Sequence, residues 1–533
     1  MKKTAFTYIL TLFLPALLTG QTIDTTWTKV YGGSADDCPG FGYDSRVNMD
    51  ITSNGDIYLL TPTLSDDNDV THNYGGRDAW ILKLNSEGDT LWTQVIGASG
   101  NEYASRIRAL DDGGCLVAGY SYSDDGMMSD HHGVANEPDG FLARLTAEGD
   151  TLWVKSYGGS TYMDAIAGND FFYDVIVMSN GNYLAIGQTN SLTDDLAPEF
   201  SWDLFYTGWV IEISPDNGEV LDVKRIYRPE HDENNPNVLF RIEEKQDNSG
   251  FLVMGESQHP FESADKFWVM ELDTAYDKLW EYTYGSDVQN ISKAMCPTTD
   301  GGMLITGMIQ GANGDVTGDF MGDMADVWIA EIDNQGSLVN QKIIGCSQGE
   351  TIYDIQPDGN NGYYLSGFIR GNDYYAHGDT TTGADFWLLR MNHELDTIWT
   401  WQNGGTNSDI LTSMKYYNGE IITTGRTASN DSIIPYNHGS NDVWLAKFDL
   451  TSSILSPKGG LPPSFYPNPA SDLLYFSGAQ YIRVYDLNGR FLIHEFRGSG
   501  HGKLPLRQLT PGMYILEMEN KKGETFREKL IIK

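Results

Sequence analysis

Apolar and polar residues alternate along most of this chain in short runs, and nearly every run ends at an Asn, Asp or Gly turn. Such alternation predicts β-strands, because successive side chains of a strand point to opposite faces. The turns recur in order: Asn54-Gly55, Asp112-Gly113, Asn180-Gly181, Ser249-Gly250, Asp300-Gly301, Asn361-Gly362 and Asn418-Gly419. Their residues tolerate the positive φ of two-residue hairpin turns, so each joins a first strand to a second. The second strand ends in glycine at Gly119, Gly187, Gly255, Gly307, Gly367 and Gly425, and only the first unit lacks one.

A polar loop of variable length comes next, followed by a third strand opened by Asp-x-aromatic: Asp78, Asp139, Asp326, Asp385 and Asp442, each two residues before Trp or Phe. Two units deviate, with Thr207 before Trp209 and Asp265 one place early before Trp268. This Asp is expected to accept hydrogen bonds from loop backbone and to fix the entry of the third strand. A second turn leads to a fourth strand bearing Trp27, Trp92, Trp153, Trp280 or Trp399. The first two intervals are 65 and 61 residues, and the next two, 127 and 119, are each two units long. The missing tryptophans are expected near Val223 and Gln341.

Four short antiparallel strands at a period near 60 residues suit the blade of a β-propeller, whose twisted sheets bury their faces against neighbouring sheets. First strands begin near Arg46, Ser105, Tyr173, Leu239, Ile291, Ile352 and Ile410, which makes seven units, yet the seventh lacks a fourth strand. Residues 25–31 read as that strand, placed on the outer edge of the last blade, where it covers an open sheet edge. The expected fold is all-β: a seven-bladed propeller of four-stranded blades closed by the N-terminal strand, plus a small C-terminal β-sandwich. Over residues 22–450 the repeat resembles the seven-bladed propeller repeats of exported bacterial proteins.

Both ends of the chain add to this picture. Lys2 and Lys3 precede an apolar run at residues 8–18, and residues 1–20 read as a secretory signal peptide. That run is too short to span a bilayer, and no later segment reaches the ~20 apolar residues a transmembrane helix needs. The propeller is expected over 21–453, a Pro/Gly linker over 454–463 and a separate domain over 464–533. That last domain contains Phe465-Tyr-Pro-Asn-Pro469, Asp486-Leu-Asn-Gly-Arg490, Pro511-Gly-Met-Tyr514 and Lys529-Leu-Ile-Ile-Lys533. In this order the motifs resemble the type A C-terminal sorting domain of the type IX secretion system. The matching positions are Pro467, Asn468, Pro469, Asp486, Gly489, Gly512, Tyr514 and Lys533. The resemblance implies handling by the type IX secretion machinery, then removal of the domain and a secreted, extracellular or outer-surface location.

Charge narrows the partners. With 35 Lys+Arg against 74 Asp+Glu the net charge is −39, which repels nucleic acid and anionic lipid headgroups. Four cysteines, Cys38, Cys115, Cys296 and Cys346, are too few and too scattered for a disulfide framework or a zinc site. The loops between second and third strands carry clustered acids. Asp315, Asp319 and Asp323 form the densest set, either as Ca²⁺ ligands or as solvated turns. No other cofactor is indicated. His72, His132, His377 and His438 also fall in these loops, in separate units. No G-x-S-x-G elbow or nucleotide loop is present, so nothing marks catalytic residues. The sequence therefore suggests a monomeric, non-catalytic scaffold that presents variable loops to a glycan or protein. The alternative is a polysaccharide-acting enzyme with carboxylates at the central channel, and a purely structural surface role reads the same way as the scaffold.

Overall fold

The computed structural model describes residues 23–39, 46–133, 137–160, 168–195, 206–228, 237–257, 264–321, 325–360, 362–371 and 383–450, all but Leu450 in a first compact unit. In a second unit it describes 464–466, 473–477, 481–485, 490–496, 501–507, 509–519 and 525–532. The expected signal peptide and linker lie outside these residues, as do Asp323, His377, Pro467, Asn468, Pro469, Asp486, Gly489 and Lys533.

Seven four-stranded antiparallel sheets make up the described part of the first unit. Their first strands are Asn48–Ile51, Glu102–Ala109, Asp170–Val177, Asn237–Glu244, Asn290–Pro297, Glu350–Pro357 and Asp409–Tyr417. Each packs on the first strand of the next sheet, and the last packs on the first, so the seven sheets form a closed ring of blades around a channel. In blade 7 the order is Asp24–Tyr31, Asp442–Asp449, Glu420–Thr427, Asp409–Tyr417, so the N-terminal strand supplies the outer edge. Its register runs from Asp24 opposite Asp449 to Tyr31 opposite Val443. The hairpin turn of the same blade shows the local cause: Asn418 and Gly419 take φ of 51° and 86°, the left-handed pair that a tight turn between twisted strands requires.

Six first strands carry a β-bulge, between Ala104 and Arg106, Phe172 and Asp174, Leu239 and Arg241, Ser292 and Ala294, Ile352 and Asp354, and Leu411 and Ser413. The residues before each bulge still pair, which is why Glu102–Ala109 and Asp170–Val177 begin three residues ahead of the expected Ser105 and Tyr173. The glycine expected to end the second strand sits opposite the bulge, and the strand pairs on for two residues beyond it, to Ser121 after Gly119 and to Ile309 after Gly307. A Cβ at Gly307 would meet the Ile291 carbonyl and the Phe267 ring, and one at Gly119 would meet the Tyr103 carbonyl.

Two sets of large aromatics hold the blades together. Trp80, Trp209, Trp268, Trp328, Trp387 and Trp444 of the third strands, with Phe141 in blade 2, are fully buried. Four of the five fourth-strand tryptophans instead lie over the second hairpin turn of the following blade, and the fifth, Trp399, is buried. Trp27 covers Gly88, Trp92 covers Gly149, Trp153 covers Gly218 and Trp280 covers Gly336. Trp92 also donates its indole N–H to the Ala147 carbonyl at 2.9 Å. Strand register places Asp222 opposite Glu212 and Asn340 opposite Glu331, where other blades have tryptophan. The vacant tryptophan positions are therefore Asp222 and Asn340, next to the expected Val223 and Gln341.

The second unit contains two sheets. One is Ser464–Tyr466, Leu473–Ser477 and His501–Pro505, and the other is Phe491–Phe496, Tyr481–Tyr485, Gly512–Glu519 and Thr525–Ile532. Leu474 and Leu504 of the first sheet share a buried core with Ile482, Val484, Leu516 and Leu530 of the second, a small β-domain. Tyr514, one of the sorting-motif positions, is buried there and donates its hydroxyl to the Thr510 carbonyl at 2.7 Å.

Candidate functional site

Strand direction fixes what each end of the channel displays. The loops between second and third strands share one face with the links from each fourth strand to the next blade, and the first hairpin turns lie on the opposite face. Asp315 and Asp319 sit on the loop face, ahead of the strand Asp326–Ile332. The Asp315 carboxylate accepts the Gly285 amide at 3.2 Å. Asp69 and Asp195 do the same for Gly32 and Gly158, each at 3.1 Å. Asp315 thus belongs to a recurring latch between a loop and the link that enters the next blade. Among the described residues no group of three or more His, Cys, Asp or Glu side chains is arranged to hold a metal ion.

The described loop histidines lie beside carboxylates, His132 between Asp139 of its own blade and Asp195 of the next. His132 Nδ1 lies 3.3 Å from Asp139, and that carboxylate raises the imidazole to about 9. His438 Nδ1 lies 2.9 Å from Asp442, and His72 is exposed beside Asp66.

The loop face of blades 2 to 4 carries a continuous run of aromatic rings. Tyr103 stacks on Tyr120 with centroids 4.8 Å apart, and Tyr122 meets both edge-on. Tyr120 meets Phe171 at 4.8 Å, Phe171 lies parallel to Tyr173 at 6.1 Å, and Tyr173 meets Phe240 at 5.1 Å. Tyr206 joins Phe171 from the side at 6.3 Å. Tyr120 and Phe240 are buried, whereas Tyr103, Tyr122, Phe171, Tyr173 and Tyr206 are half-buried, so one side of the run contacts solvent. Polar groups flank it: the Arg77 guanidinium lies 5.1 Å from the Tyr103 centroid, and Asn169 donates to the Tyr206 hydroxyl at 3.0 Å. Tyr173 and Phe240 occupy bulge positions of their first strands, which carries the run from the outer loop face down to the channel wall.

Beyond the aromatics the channel is lined with charge. A cavity of about 310 Å³ is bordered by Arg106, Arg108, Arg241, Glu243, Asp354 and Lys415 among others. These positions lie past the bulge, toward the hairpin face. Asp174 is fully enclosed and accepts from Arg106 Nε at 2.7 Å, from Arg108 at 3.2 Å and from the Ile242 amide of the next blade at 3.3 Å. Burial pushes its carboxyl up, but the two guanidinium groups more than offset that and hold it below the usual range. Asp50 accepts the Ala109 amide of blade 2 at 2.9 Å and pairs with Lys415 of blade 7 at 3.1 Å. Asp354 accepts the Met414 amide of blade 7 at 2.7 Å. Three of the channel acids are thus struts between blades. Burial raises the fourth, Glu243, which stands 4.0 Å from Arg108.

Arg46 of blade 1 reaches across the channel to the Tyr353 ring of blade 6, 4.5 Å from its centroid. The same ring lies 5.7 Å from the Lys293 ammonium of blade 5. Burial and the Arg46 charge together pull Lys293 down to about 7.

Neither the aromatic run nor the channel charges are announced by the repeat. Both occupy positions where one unit differs from the next, and a motif search discards such positions. Composition gives no signal either, since the first two strands of the sixth unit hold as many Tyr and Phe, Tyr353, Tyr363, Tyr364 and Phe368, as those of the third, Phe171, Phe172, Tyr173 and Tyr183.

Comparison with known proteins bears on the two units differently. Residues 464–533 match the secretion system C-terminal sorting domain family. A search of curated protein sequences finds no match. Among solved structures, the chain is similar to the Pan2 WD40 domain of Neurospora crassa at 9% identity, with 80% of this chain and 97% of that chain covered and a TM-score of 0.42. It is also similar to a member of the DUF4221 family from Bacteroides vulgatus at 12% identity, with 80% and 99% covered and a TM-score of 0.34. With its ring of seven four-stranded blades and its matched C-terminal domain, the protein is a β-propeller that carries a type IX secretion system sorting domain at residues 464–533.

Proposed function

We propose that this protein is an exported, non-catalytic binding scaffold whose ligand is a glycan, held on the aromatic run of blades 2 to 4. The sorting domain itself indicates export and an interaction with the type IX secretion machinery. In this reading residues 1–20 direct the first membrane crossing, and the propeller works as a monomer outside the cell or on its surface. The observation that carries the glycan assignment is the half-buried row from Tyr122 and Tyr103 through Phe171 to Tyr173, with Arg77 and Asn169 at its side. Sugar rings present C–H faces that stack on such aromatics, and their hydroxyls need the flanking donors and acceptors. A rigid sheet edge holds these rings in place before binding, which lowers the ordering cost.

The same geometry favours binding over hydrolysis. Asp50, Asp174 and Asp354 are tied to backbone amides of neighbouring blades, and a glycosidase instead needs two carboxyls flanking one bond. Titration of the purified chain against a glycan array is expected to show binding without release of reducing ends. Phe171→Ala and Tyr122→Ala should each weaken binding about tenfold, the loss of ~1.4 kcal/mol that one stacked ring supplies. Unchanged affinity in both variants would remove the aromatic run from the site, and hydrolysis that Glu243→Gln abolishes would establish the enzyme instead.

A further inference from the structure

Five of the seven links into a new blade bring two acidic positions together. One is the Asp that opens a third strand, and the other is the first residue of the next blade's first strand or its counterpart in the link to blade 1. The pairs are Asp78 with Glu102, Asp139 with Asp170, Asp326 with Glu350, Asp385 with Asp409, and Asp442 with Asp37. All ten carboxyl-bearing residues are buried. A glycine of the link marks each meeting point. The place a Cβ would take on Gly158 lies 2.5 Å from Asp170 Oδ2 and 2.7 Å from Asp139 Oδ1, and on Gly404 it lies 2.7 Å from Asp385 Oδ1 and 2.9 Å from Asp409 Oδ2. Gly32 stands in the same relation to Asp442 and Asp37, and Gly345 to Glu350 and Asp326.

The two junctions without the Asp also lack its acidic partner. Thr207 is followed by Asn237 and Lys266 by Asn290, and Lys266 turns its ammonium to the Ser286 carbonyl at 2.7 Å. Two carboxyls therefore occur together or not at all, which a pair of independent structural acids would not require.

Hydrogen bonds around the pairs come almost wholly from donors. Asp326 Oδ2 accepts the Met321 amide at 2.6 Å, and Glu350 Oε2 accepts the Cys346 amide at 3.0 Å and its thiol at 3.2 Å. The other two oxygens, Asp326 Oδ1 and Glu350 Oε1, are buried and meet no donor group. Glu102 accepts the Ala98 amide at 2.9 Å and the Ser121 and Ser123 hydroxyls at 2.7 and 2.6 Å, while Asp78 Oδ1 is buried without a donor. Two facing carboxylate oxygens with donors on every other side need one proton between them.

We propose that Asp78–Glu102 and Asp326–Glu350 each share one proton at neutral pH, so that the blade junctions they span are locked by acid and loosened by alkali. Two of the other pairs have imidazoles against them: His131 and His132 at Asp139, with Asp195 beside them, and His438 at Asp442. His132, raised to about 9 by Asp139, supplies a positive charge at the first of these junctions. At the two proposed pairs the ionisable neighbour among the described residues is the Cys346 thiol at Glu350. Burial, joined by the facing carboxylate, raises Asp78 to about 8. Glu350 rises to about 9 by burial and the Asp326 charge.

A carboxyl raised in the folded state keeps its proton while the unfolded chain has released it. Below the ordinary carboxylate range the pairs add no pH dependence. From there upward they lower stability as pH rises, and the loss is complete once pH passes the folded values.

Thermal unfolding of the intact chain between pH 5 and pH 9 tests this. The melting temperature is expected to fall by about 5 °C or more over that range. Asp78→Asn and Glu350→Gln, whose amides supply a permanent N–H in place of the shared proton, should melt above the parent at pH 9 and level with it at pH 5. Variants that run parallel to the parent at every pH would overturn the proposal. Infrared spectra of the unmodified protein at pH 7 provide a second measurement that needs no variant. A protonated carboxylic acid band is expected, and its absence would refute the shared proton. Stabilisation by added Ca²⁺ that both variants abolish would put a metal ion in the proton's place and overturn the proposal equally.

Discussion

Deleting residues 23–31 should lower the melting temperature of the propeller by about 10 °C or more, or prevent folding. The strand Asp24–Tyr31 forms the outer edge of blade 7 and pairs along its whole length with Asp442–Asp449. Val30 and Tyr31 are buried, and Trp27 covers Gly88 of blade 1 while the Tyr31 hydroxyl bonds the carbonyl of that glycine. Two buried side chains and one half-buried Trp correspond to about 5 kcal/mol of apolar burial, and the lost backbone ladder adds to it. In a domain this large each kcal/mol moves the melting temperature by ~2 °C or somewhat less. Deletion also breaks the one junction at which sequence-distant ends close the ring, and it exposes the edge of Asp442–Asp449 to intermolecular pairing. Calorimetry and light scattering of the deleted protein would show early melting and association. A peptide of residues 23–34 added in trans should recover part of the loss. A melting curve equal to that of the parent would show that the strand does not close the ring.

Removing residues 461–533 is expected to abolish appearance of the protein outside the cell while leaving the propeller folded. Residues 464–533 match the sorting domain family and form a compact unit with a core of their own, built from Leu474, Ile482, Val484, Leu504, Leu516 and Leu530. The propeller's sheets are complete without them, since blade 7 ends at Asp449. Truncation should therefore leave the melting temperature within about 2 °C of the parent, because no propeller core residue is lost. Mass spectrometry of the exported form is expected to lack roughly seventy C-terminal residues, cut in the Pro/Gly-rich stretch, whose prolines have no backbone N–H to donate. Finding Lys533 on the extracellular protein, or undiminished export of the truncated chain, would contradict the assignment of this domain as a removable address.

These two effects are large because they act on features that the chain spells out locally. Alternation, Asn/Asp/Gly turns and the recurring tryptophans define four strands per unit without any reference to neighbours, since a hairpin depends on residues only a few positions apart. Counting strands then exposes the vacancy that Asp24–Tyr31 fills. The sorting motifs are equally local. The Asp that opens the third strand was also legible, and it takes loop amides as expected: His438 N–H to Asp442 at 2.6 Å, and Met321 N–H to Asp326 at 2.6 Å.

What the tertiary structure alone decided lies between the units. The aromatic run from Tyr103 to Phe240 joins residues of three blades, and the contact of Arg46 with Tyr353 crosses the channel. The meeting of Asp326 with Glu350 likewise depends on two blades coming into register at Gly345. The positions equivalent to the fourth-strand tryptophans, Asp222 and Asn340, are fixed by pairing with Glu212 and Glu331 of the third strands, whereas spacing along the chain places them only to within a residue. In a propeller each sheet is encoded by its own stretch of about 60 residues, so sequence determines the blade. The site and the junctions arise where blades touch, and there the partners are separated by a whole repeat or by the entire ring, a distance over which hydrophobic periodicity carries no information.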